Sequence, residues 1–257
     1  MNHFLKKNIR LGAFVMSLMT SFASPLRAEA TDIKNIVLVH GAFADGSSWS
    51  AVIPLLQADG YHVTAVQNPL TSLQDDVTAT ERVLDRQKGG VLLVGHSWAG
   101  AVITQAGNAS NVKGLVYLSA LAPDSGESVA DALTRLNAPM EGMQADKNGL
   151  IWLDDANAFH QIMANDLSAS QARLLAAQQQ PIAAGAFSEK IETAAWHSRP
   201  SWYLITENDH ALNTSVQARF AHEMGAHISR MNSGHLSMIS HPAQVAELIN
   251  QAALSIK

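Results

Sequence analysis

The chain of 257 residues is 47% apolar, contains no cysteine and carries a formal net charge of −5. Its length suits one domain with a well-buried core, and its composition excludes the disordered and fibrous classes of protein. The lack of cysteine excludes disulfide bonds and thiolate metal sites, so stability must come from packing.

The first 30 residues have the pattern of a secretory signal peptide. A basic stretch at residues 6–10 precedes a largely apolar run at residues 11–22, and Ala28 and Ala30 place small side chains at the two positions that determine cleavage. The apolar run is interrupted by polar residues and is shorter than the roughly 20 residues that a membrane-spanning helix needs. We therefore predict a mature protein that begins at Thr31 and is exported to the periplasm or the medium.

The predicted mature chain is strongly acidic. Residues 1–30 hold four basic residues and one acidic residue, so the remainder keeps 13 basic and 21 acidic residues, a net charge of −8. With that charge and no basic cluster, neither a nucleic acid nor a membrane surface is expected as a partner of the mature form.

Apolar runs alternate with helical patterns along most of the chain. Strands are predicted at residues 33–40, 62–66, 91–94, 112–121, 201–206 and 226–231. Helices are predicted at residues 47–58, 72–87, 214–224 and 241–254, and another begins at residue 101. This alternation predicts an α/β fold with a mostly parallel sheet of about six strands, helices on both faces, and a site at the carboxyl ends of the strands.

Residues 122–200 interrupt the alternation, since they contain no convincing strand and only helix-forming stretches such as residues 168–180. We expect a helical cap inserted over the strand ends, within a single domain of residues 31–257. The large apolar residues of this segment are expected to form the core of the cap, with the lining of a pocket as the alternative. They are Met140, Met143, Trp152, Phe159, Met163, Leu174 and Phe187.

Ser97 lies in the turn between the third predicted strand and the helix that follows it. The surrounding sequence, Gly95-His96-Ser97-Trp98-Ala99, fits the G-x-S-x-G pattern of a nucleophile elbow with alanine in the last position. The turn of such an elbow is so tight that the residues two before and two after the serine must be small. A serine in this position is also often a plain helix N-cap, so the pattern alone leaves both interpretations open.

Four segments together resemble the α/β-hydrolase superfamily: His40-Gly41-Ala42, the elbow, Asp209 after the fifth strand and His235 after the sixth. The stretches HGAFADGSSW, GHSWAG and LVYLSALAPDSGES are similar to the plant methylesterase and hydroxynitrile lyase group and its small bacterial esterase relatives. The resemblance covers the chain from Ile33 to the C-terminus and is loose in the cap. It implies the α/β-hydrolase fold.

The resemblance also implies a catalytic triad of Ser97, Asp209 and His235, in the chain order that this fold uses. A serine hydroxyl is a weak nucleophile, so it needs an imidazole base and a carboxylate that holds the imidazole in the correct tautomer. His235 and Asp209 both follow strands. Glu207 and Asp124 remain alternatives for the acid.

Two backbone amides are implied as the oxyanion hole. One belongs to Trp98, directly after the serine, and the other to Ala42, with Phe43 as a possible substitute. His40 and His96 are expected to be structural or to support the site. No H-E-x-x-H or similar spacing occurs, so neither a metal nor another cofactor is expected.

These expectations combine into an exported serine esterase that cleaves carboxylic esters of small, mainly apolar compounds through an acyl-enzyme on Ser97. One alternative is a hydroxynitrile lyase-type enzyme on the same fold, and another is a non-catalytic module that only binds a small ligand. The resembling lyases have a lysine directly after the catalytic histidine, where this chain has Leu236. That difference favours the esterase.

Overall fold

The computed structural model describes residue 1, residues 33–140 and residues 142–256. The predicted signal peptide, apart from Met1, therefore lies outside the described residues. Within the described ranges, no helix has both the length and the apolar character needed to cross a membrane.

A parallel sheet of six strands forms the centre of the molecule. In chain order the strands of the structure are β1 (Ile33–Val39), β2 (His62–Val66), β3 (Gly90–His96), β4 (Val112–Leu118), β5 (Leu150–Ile151), β6 (Ile182–Ala183), β7 (Ser201–Thr206) and β8 (His227–Met231). The central sheet has the order β2-β1-β3-β4-β7-β8, and every neighbouring pair in it is parallel. Every residue of β3 is buried, which explains its continuous apolar sequence.

The helices are α1 (Ile53–Ala58), α2 (Leu73–Leu84), α3 (Ala99–Ala106), α4 (Val129–Arg135), α5 (Ala156–Ile162), α6 (Ala169–Gln178), α7 (Thr214–Glu223), α8 (Ser237–Ser240) and α9 (Pro242–Ser255). In the sheet region α2 packs against α3, and α1 packs against α9. The fold is the α/β-hydrolase fold predicted from the sequence.

Two predicted elements differ from the observed ones for local reasons. The helix predicted at residues 47–58 is split into a 3-10 turn (Gly46–Trp49) and α1. Pro54 has no backbone N–H, so it fits the first turn of α1 but not the interior of one long helix. The strand predicted at residues 112–121 stops at Leu118 because Ser119 adopts a φ of +40°, which a strand cannot contain.

The segment between β4 and β7 contains α4, α5 and α6, as the helical pattern predicts. The expectation that it contains no strand is wrong, because β5 and β6 form an antiparallel pair within it. Each of these strands has only two residues, which is too short for an alternating pattern to be visible in the sequence. The domain boundaries at residues 31 and 257 remain a prediction.

Candidate active site

Ser97 occupies a strained turn between β3 and α3. Its φ is +54°, in the left-handed region that few residues other than glycine adopt. The turn is held by backbone hydrogen bonds, since Ser97 N–H donates to the Leu118 oxygen (3.1 Å) and the Ser97 oxygen accepts from Gly100 (2.9 Å) and Leu121 (3.1 Å). The strained turn is thus held by the end of β4, the segment directly after β4 and the first turn of α3, and this is the local geometry of a nucleophile elbow.

Close backbone contacts explain why small residues surround this serine. A Cβ added at Gly95 would lie 2.7 Å from the Ala99 oxygen, and one at Gly41 would lie 2.9 Å from the Ser97 Cβ. The tightest contact is at Gly100, where a Cβ would lie 2.2 Å from the Leu121 oxygen. The sequence pattern directs attention to position 99, whereas the structure shows that the glycine at position 100 has the least space.

His235 and Asp209 form a buried hydrogen-bonded pair. His235 Nδ1 lies 2.8 Å from Asp209 Oδ2, and their side chains are only 1% and 0% exposed. Because a carboxylate only accepts, Nδ1 carries the proton of this hydrogen bond. The other ring nitrogen, Nε2, takes no part in the contact with Asp209.

Asp209 is held as a charged carboxylate by several donors. Its Oδ2 also accepts hydrogen bonds from Thr206 (2.7 Å) and Gln217 (2.9 Å), and its Oδ1 accepts the N–H groups of Ala211 and Leu212 (both 2.8 Å). Burial by itself would raise the pKa of Asp209, but the nearby His235 and these donors outweigh it, so the pKa is lowered from its ordinary value.

The two alternative acids lie elsewhere. Asp124 contacts His197 Nε2 at 2.6 Å, and both of these side chains are about half exposed. Glu207 lies 3.6 Å from Arg230, also at the surface. Neither carboxylate contacts His235, so Asp209 is the acid whose geometry fits a triad.

Two buried histidines make hydrogen bonds to backbone atoms around the site. His40 Nδ1 donates to the Gly41 oxygen (2.9 Å), and its Nε2 accepts the Asn68 N–H (2.9 Å), which fixes the loop after β1. His96 Nε2 donates to the His235 oxygen (3.0 Å), and the two rings lie 4.6 Å apart. Burial lowers the pKa of both His40 and His96, so both rings stay neutral.

The two amides implied as the oxyanion hole belong to Ala42 and Trp98. Both residues line the same cavity as Ser97, and within the described chain neither N–H donates a backbone or side-chain hydrogen bond. Buried amides without a partner are rare, so these two donors are available to a bound oxygen. Phe43 also lines the cavity and has a φ of +57°. Its own N–H likewise donates no hydrogen bond within the described chain, so Phe43 stays an alternative to Ala42.

A cavity of about 930 Å³ lies over these groups, and it brings together Ser97, His235 and Asp209. Within the described chain, the Ser97 hydroxyl makes no hydrogen bond to His235.

Apolar side chains of the inserted segment form a large part of the cavity lining. Of the seven residues expected to form a cap core, five line the cavity: Met140, Met143, Trp152, Met163 and Phe187. The core interpretation also holds for Phe159, Met163 and Phe187, which are 2%, 4% and 7% exposed, while Leu174 is 58% exposed at the surface. The interpretation as cap core and the interpretation as pocket lining are therefore each partly correct.

No lysine or arginine lines the cavity in the part of the chain that the structure describes. Leu236, which follows His235, is 2% exposed and packs in the core. Likewise, the described ranges contain no group of three or more histidine and carboxylate side chains placed to hold a metal ion.

Asp76 is a fully buried acid that contacts Trp98 of the elbow, and it is not among the residues predicted from the sequence. Its Oδ2 accepts the Trp98 indole N–H (2.7 Å), and its Oδ1 accepts the Leu70 N–H (2.8 Å). Burial raises the pKa of Asp76 to about 6, although both hydrogen bonds oppose that rise. In the sequence Asp76 looks like an ordinary acidic residue in the first turn of a helix, so nothing local identifies it.

A profile of the Alpha/beta hydrolase family matches residues 36–248, so the chain belongs to that family. The chain is 30% identical over 242 residues to the Alpha/beta hydrolase nvfD of Aspergillus novofumigatus, covering 85% of this chain and 96% of that protein. It is 24% identical over 220 residues to the putative chloroplastic methylesterase 11 of Arabidopsis thaliana, covering 75% of this chain and 56% of that protein.

Solved structures agree with the fold. The structure of a pyrethroid hydrolase from Sphingobium faniae JZ-2 superposes with a TM-score of 0.74 at 21% identity, covering 87% of this chain and 98% of that one. The protein is thus an α/β hydrolase with an esterase among its relatives, and the resemblance inferred from the sequence is confirmed.

Proposed function

We propose that this protein is a cofactor-free serine esterase that cleaves carboxylic esters of small, mainly apolar compounds through an acyl-enzyme on Ser97. The observation that carries the proposal is the buried hydrogen bond between His235 and Asp209, beside a strained Ser97 in one largely apolar cavity. The methylesterase relative supports the same class of reaction.

In the proposed reaction, the Ser97 oxygen attacks the ester carbonyl carbon while His235 Nε2 takes the hydroxyl proton. Asp209 keeps the proton on Nδ1 and stabilises the imidazolium. The negative charge on the tetrahedral intermediate is stabilised by the N–H groups of Trp98 and Ala42, each worth roughly 3–4 kcal/mol. His235 then protonates the departing alcohol.

The second half of the reaction uses the same groups in the opposite sense. A water molecule gives its proton to His235 Nε2 and attacks the acyl carbon. Collapse of the second tetrahedral intermediate releases the carboxylic acid and returns the proton to Ser97. His235 thus accepts and returns a proton twice, once in each half of the reaction, and no additional acid or base is needed.

The cavity supports a neutral, apolar substrate. Its described lining contains eight large apolar side chains from the inserted segment and no lysine or arginine, so an anionic substrate would have no counter-charge there. The same lack of a cation opposes the lyase alternative, since departing cyanide is an anion that needs compensation in a dry site. A non-catalytic binding module would not need the buried His235–Asp209 pair.

An ester panel that varies acyl length and alcohol aromaticity tests this proposal on one preparation. We expect release of phenolate from aryl esters, loss of that activity in Ser97→Ala, and no release of benzaldehyde from mandelonitrile above background. Benzaldehyde release that disappears in Ser97→Ala would replace the esterase with a lyase. A wild-type protein that is not labelled by a fluorophosphonate probe would favour a binding module.

We also propose that the mature enzyme works outside the cytoplasm. This rests on the sequence pattern of residues 1–30. Intact-mass measurement of protein recovered from the periplasm or medium should give a chain that begins at Thr31. A mass that still includes residues 1–30 would contradict export with cleavage.

A further inference from the structure

The turn between α5 and α6, residues 163–168, contacts both loops that carry the proposed acid and base. It begins at Met163, which lines the cavity, and it contains Asn165 and Asp166. The turn is internally braced, because Leu167 N–H donates to the Ala164 oxygen (3.0 Å) and His160 Nε2 donates to the Leu167 oxygen (2.9 Å). These two hydrogen bonds hold the conformation of the turn.

Asp166 holds the loop of the proposed base. Its Oδ2 accepts the N–H of Gly234 (2.8 Å), the residue directly before His235. The fit is close, since a Cβ at Gly234 would lie 2.6 Å from Asp166 Oδ1 and 2.5 Å from Asn165 Oδ1. The His235 loop thus rests directly on this turn, with no room for a side chain between them.

Asn165 holds the loop of the proposed acid. Its Nδ2 donates to the oxygen of Asn208 (2.9 Å), the residue directly before Asp209. A second bond runs nearby, from His210 Nδ1 to the oxygen of Gln161 in α5 (3.0 Å). The residues on either side of Asp209 are therefore both tied to the inserted segment.

We propose that Asn165 and Asp166 are positioning residues that set His235 and Asp209 relative to each other. This inference rests on the proposed esterase function. The two loops are also joined by their own backbone bond, from Asn208 N–H to the Ser233 oxygen (3.1 Å), so the turn adjusts an existing pair and does not create it. Loss of its contacts should therefore reduce the rate of the chemical step while the fold persists.

The decisive comparison is between two substitutions of Asp166. Asp166→Ala removes the acceptor of the Gly234 N–H, whereas Asp166→Asn keeps an acceptor oxygen in the same place and removes only the charge. We expect kcat for an aryl ester to fall roughly tenfold in Asp166→Ala with little change in KM, because small misplacements of catalytic groups are costly in rate. Asp166→Asn should retain most of the wild-type kcat.

Asn165→Ala should also lower kcat, since it releases the Asn208 oxygen. Asp154→Ala is the matched control, because Asp154 is an exposed acid of the same inserted segment with no side-chain hydrogen bond in the described chain. Thermal unfolding of each variant shows whether the fold is retained. Equal losses of kcat in Asp166→Asn and Asp166→Ala would overturn the proposal, since the charge and not the hydrogen bond would then matter. Unchanged kcat in both would overturn it too.

A second readout does not depend on turnover. The His235 Nδ1 proton, hydrogen-bonded to a buried carboxylate, should give a downfield proton NMR signal that His235→Ala identifies by its loss. We expect this signal to persist in Asp166→Asn and Asp154→Ala and to broaden or shift in Asp166→Ala. An unaltered signal in Asp166→Ala would contradict the positioning role. If the wild type cleaves no ester, the proposed function fails, and the NMR comparison still tests the contacts of Asp166.

Discussion

The buried carboxyl of Asp76 should make the stability of this protein depend on pH in a way that one substitution removes. Asp76 is 0% exposed and lies behind the elbow, where it accepts the Trp98 indole N–H. Its pKa is raised from the ordinary 3.8 to about 6, chiefly by burial. We therefore consider Asp76→Asn, which keeps the shape of the side chain but cannot titrate.

The size of the effect follows from linkage. Below both pKa values Asp76 is protonated in the folded and unfolded chains and contributes no pH dependence. As pH rises, the unfolded chain loses this proton first, so the folded state is progressively disfavoured until its own pKa is passed. A rise from 3.8 to about 6 corresponds to about 3 kcal/mol, since each pKa unit is worth about 1.4 kcal/mol.

Urea unfolding of the wild type and Asp76→Asn at several pH values measures this contribution. Other titrating groups cancel in the difference between the two proteins. That difference, wild type minus variant, should fall by about 2 to 3 kcal/mol between about pH 4 and about pH 7 and then stay constant. The variant also leaves one of two buried N–H donors without an acceptor, which shifts the difference by a pH-independent amount of about 1–3 kcal/mol.

A difference that does not change with pH over this range would refute the reasoning, because Asp76 would then have the same pKa in both states. A difference that grows with pH would also refute it, since the pKa would then be lowered by the two hydrogen bonds more than burial raises it.

Two further predictions concern the triad and the elbow. In an aryl ester assay, Asp209→Asn should lower kcat by about 10⁴-fold because the imidazole then adopts the wrong tautomer, whereas Asp124→Asn should have little effect because that carboxylate lies at the surface. A larger loss in Asp124→Asn than in Asp209→Asn would refute the assignment of Asp209 as the acid. Gly100→Ala should lower the free energy of unfolding by about 1–3 kcal/mol, because the added Cβ would overlap the Leu121 oxygen, while Gly185→Ala should change it far less because the space around Gly185 is open. Equal effects of the two substitutions in urea unfolding would contradict the close approach of Gly100 to Leu121.

Local patterns in the sequence predict most of the scaffold. The central strands β1, β3, β4 and β7 and the elbow could be predicted because buried parallel strands are almost continuously apolar and the turn at Ser97 needs small neighbours. Errors arise where a single residue ends an element, as Ser119 does with its positive φ, or where an element is as short as β5 and β6.

The supporting contacts of the candidate site could not be predicted in this way. The bond from Gly234 to Asp166 joins residues 68 positions apart, and the bond from Asn165 to Asn208 joins residues 43 positions apart. Neither Asn165 nor Asp166 belongs to a motif, since their roles depend on how the inserted segment packs over the strand ends. The choice between core and pocket for the apolar cap residues depends on the same packing.

The central claim, an acyl-enzyme on Ser97, is tested most directly by trapping that intermediate. The protein is mixed with an aryl ester, quenched with acid during turnover, digested and analysed by mass spectrometry. The account predicts that the peptide containing Ser97 gains the mass of the acyl group, and that Ser97→Ala shows neither this adduct nor turnover. Steady turnover in Ser97→Ala, or an acyl group on a different residue whose replacement stops the reaction, would contradict it.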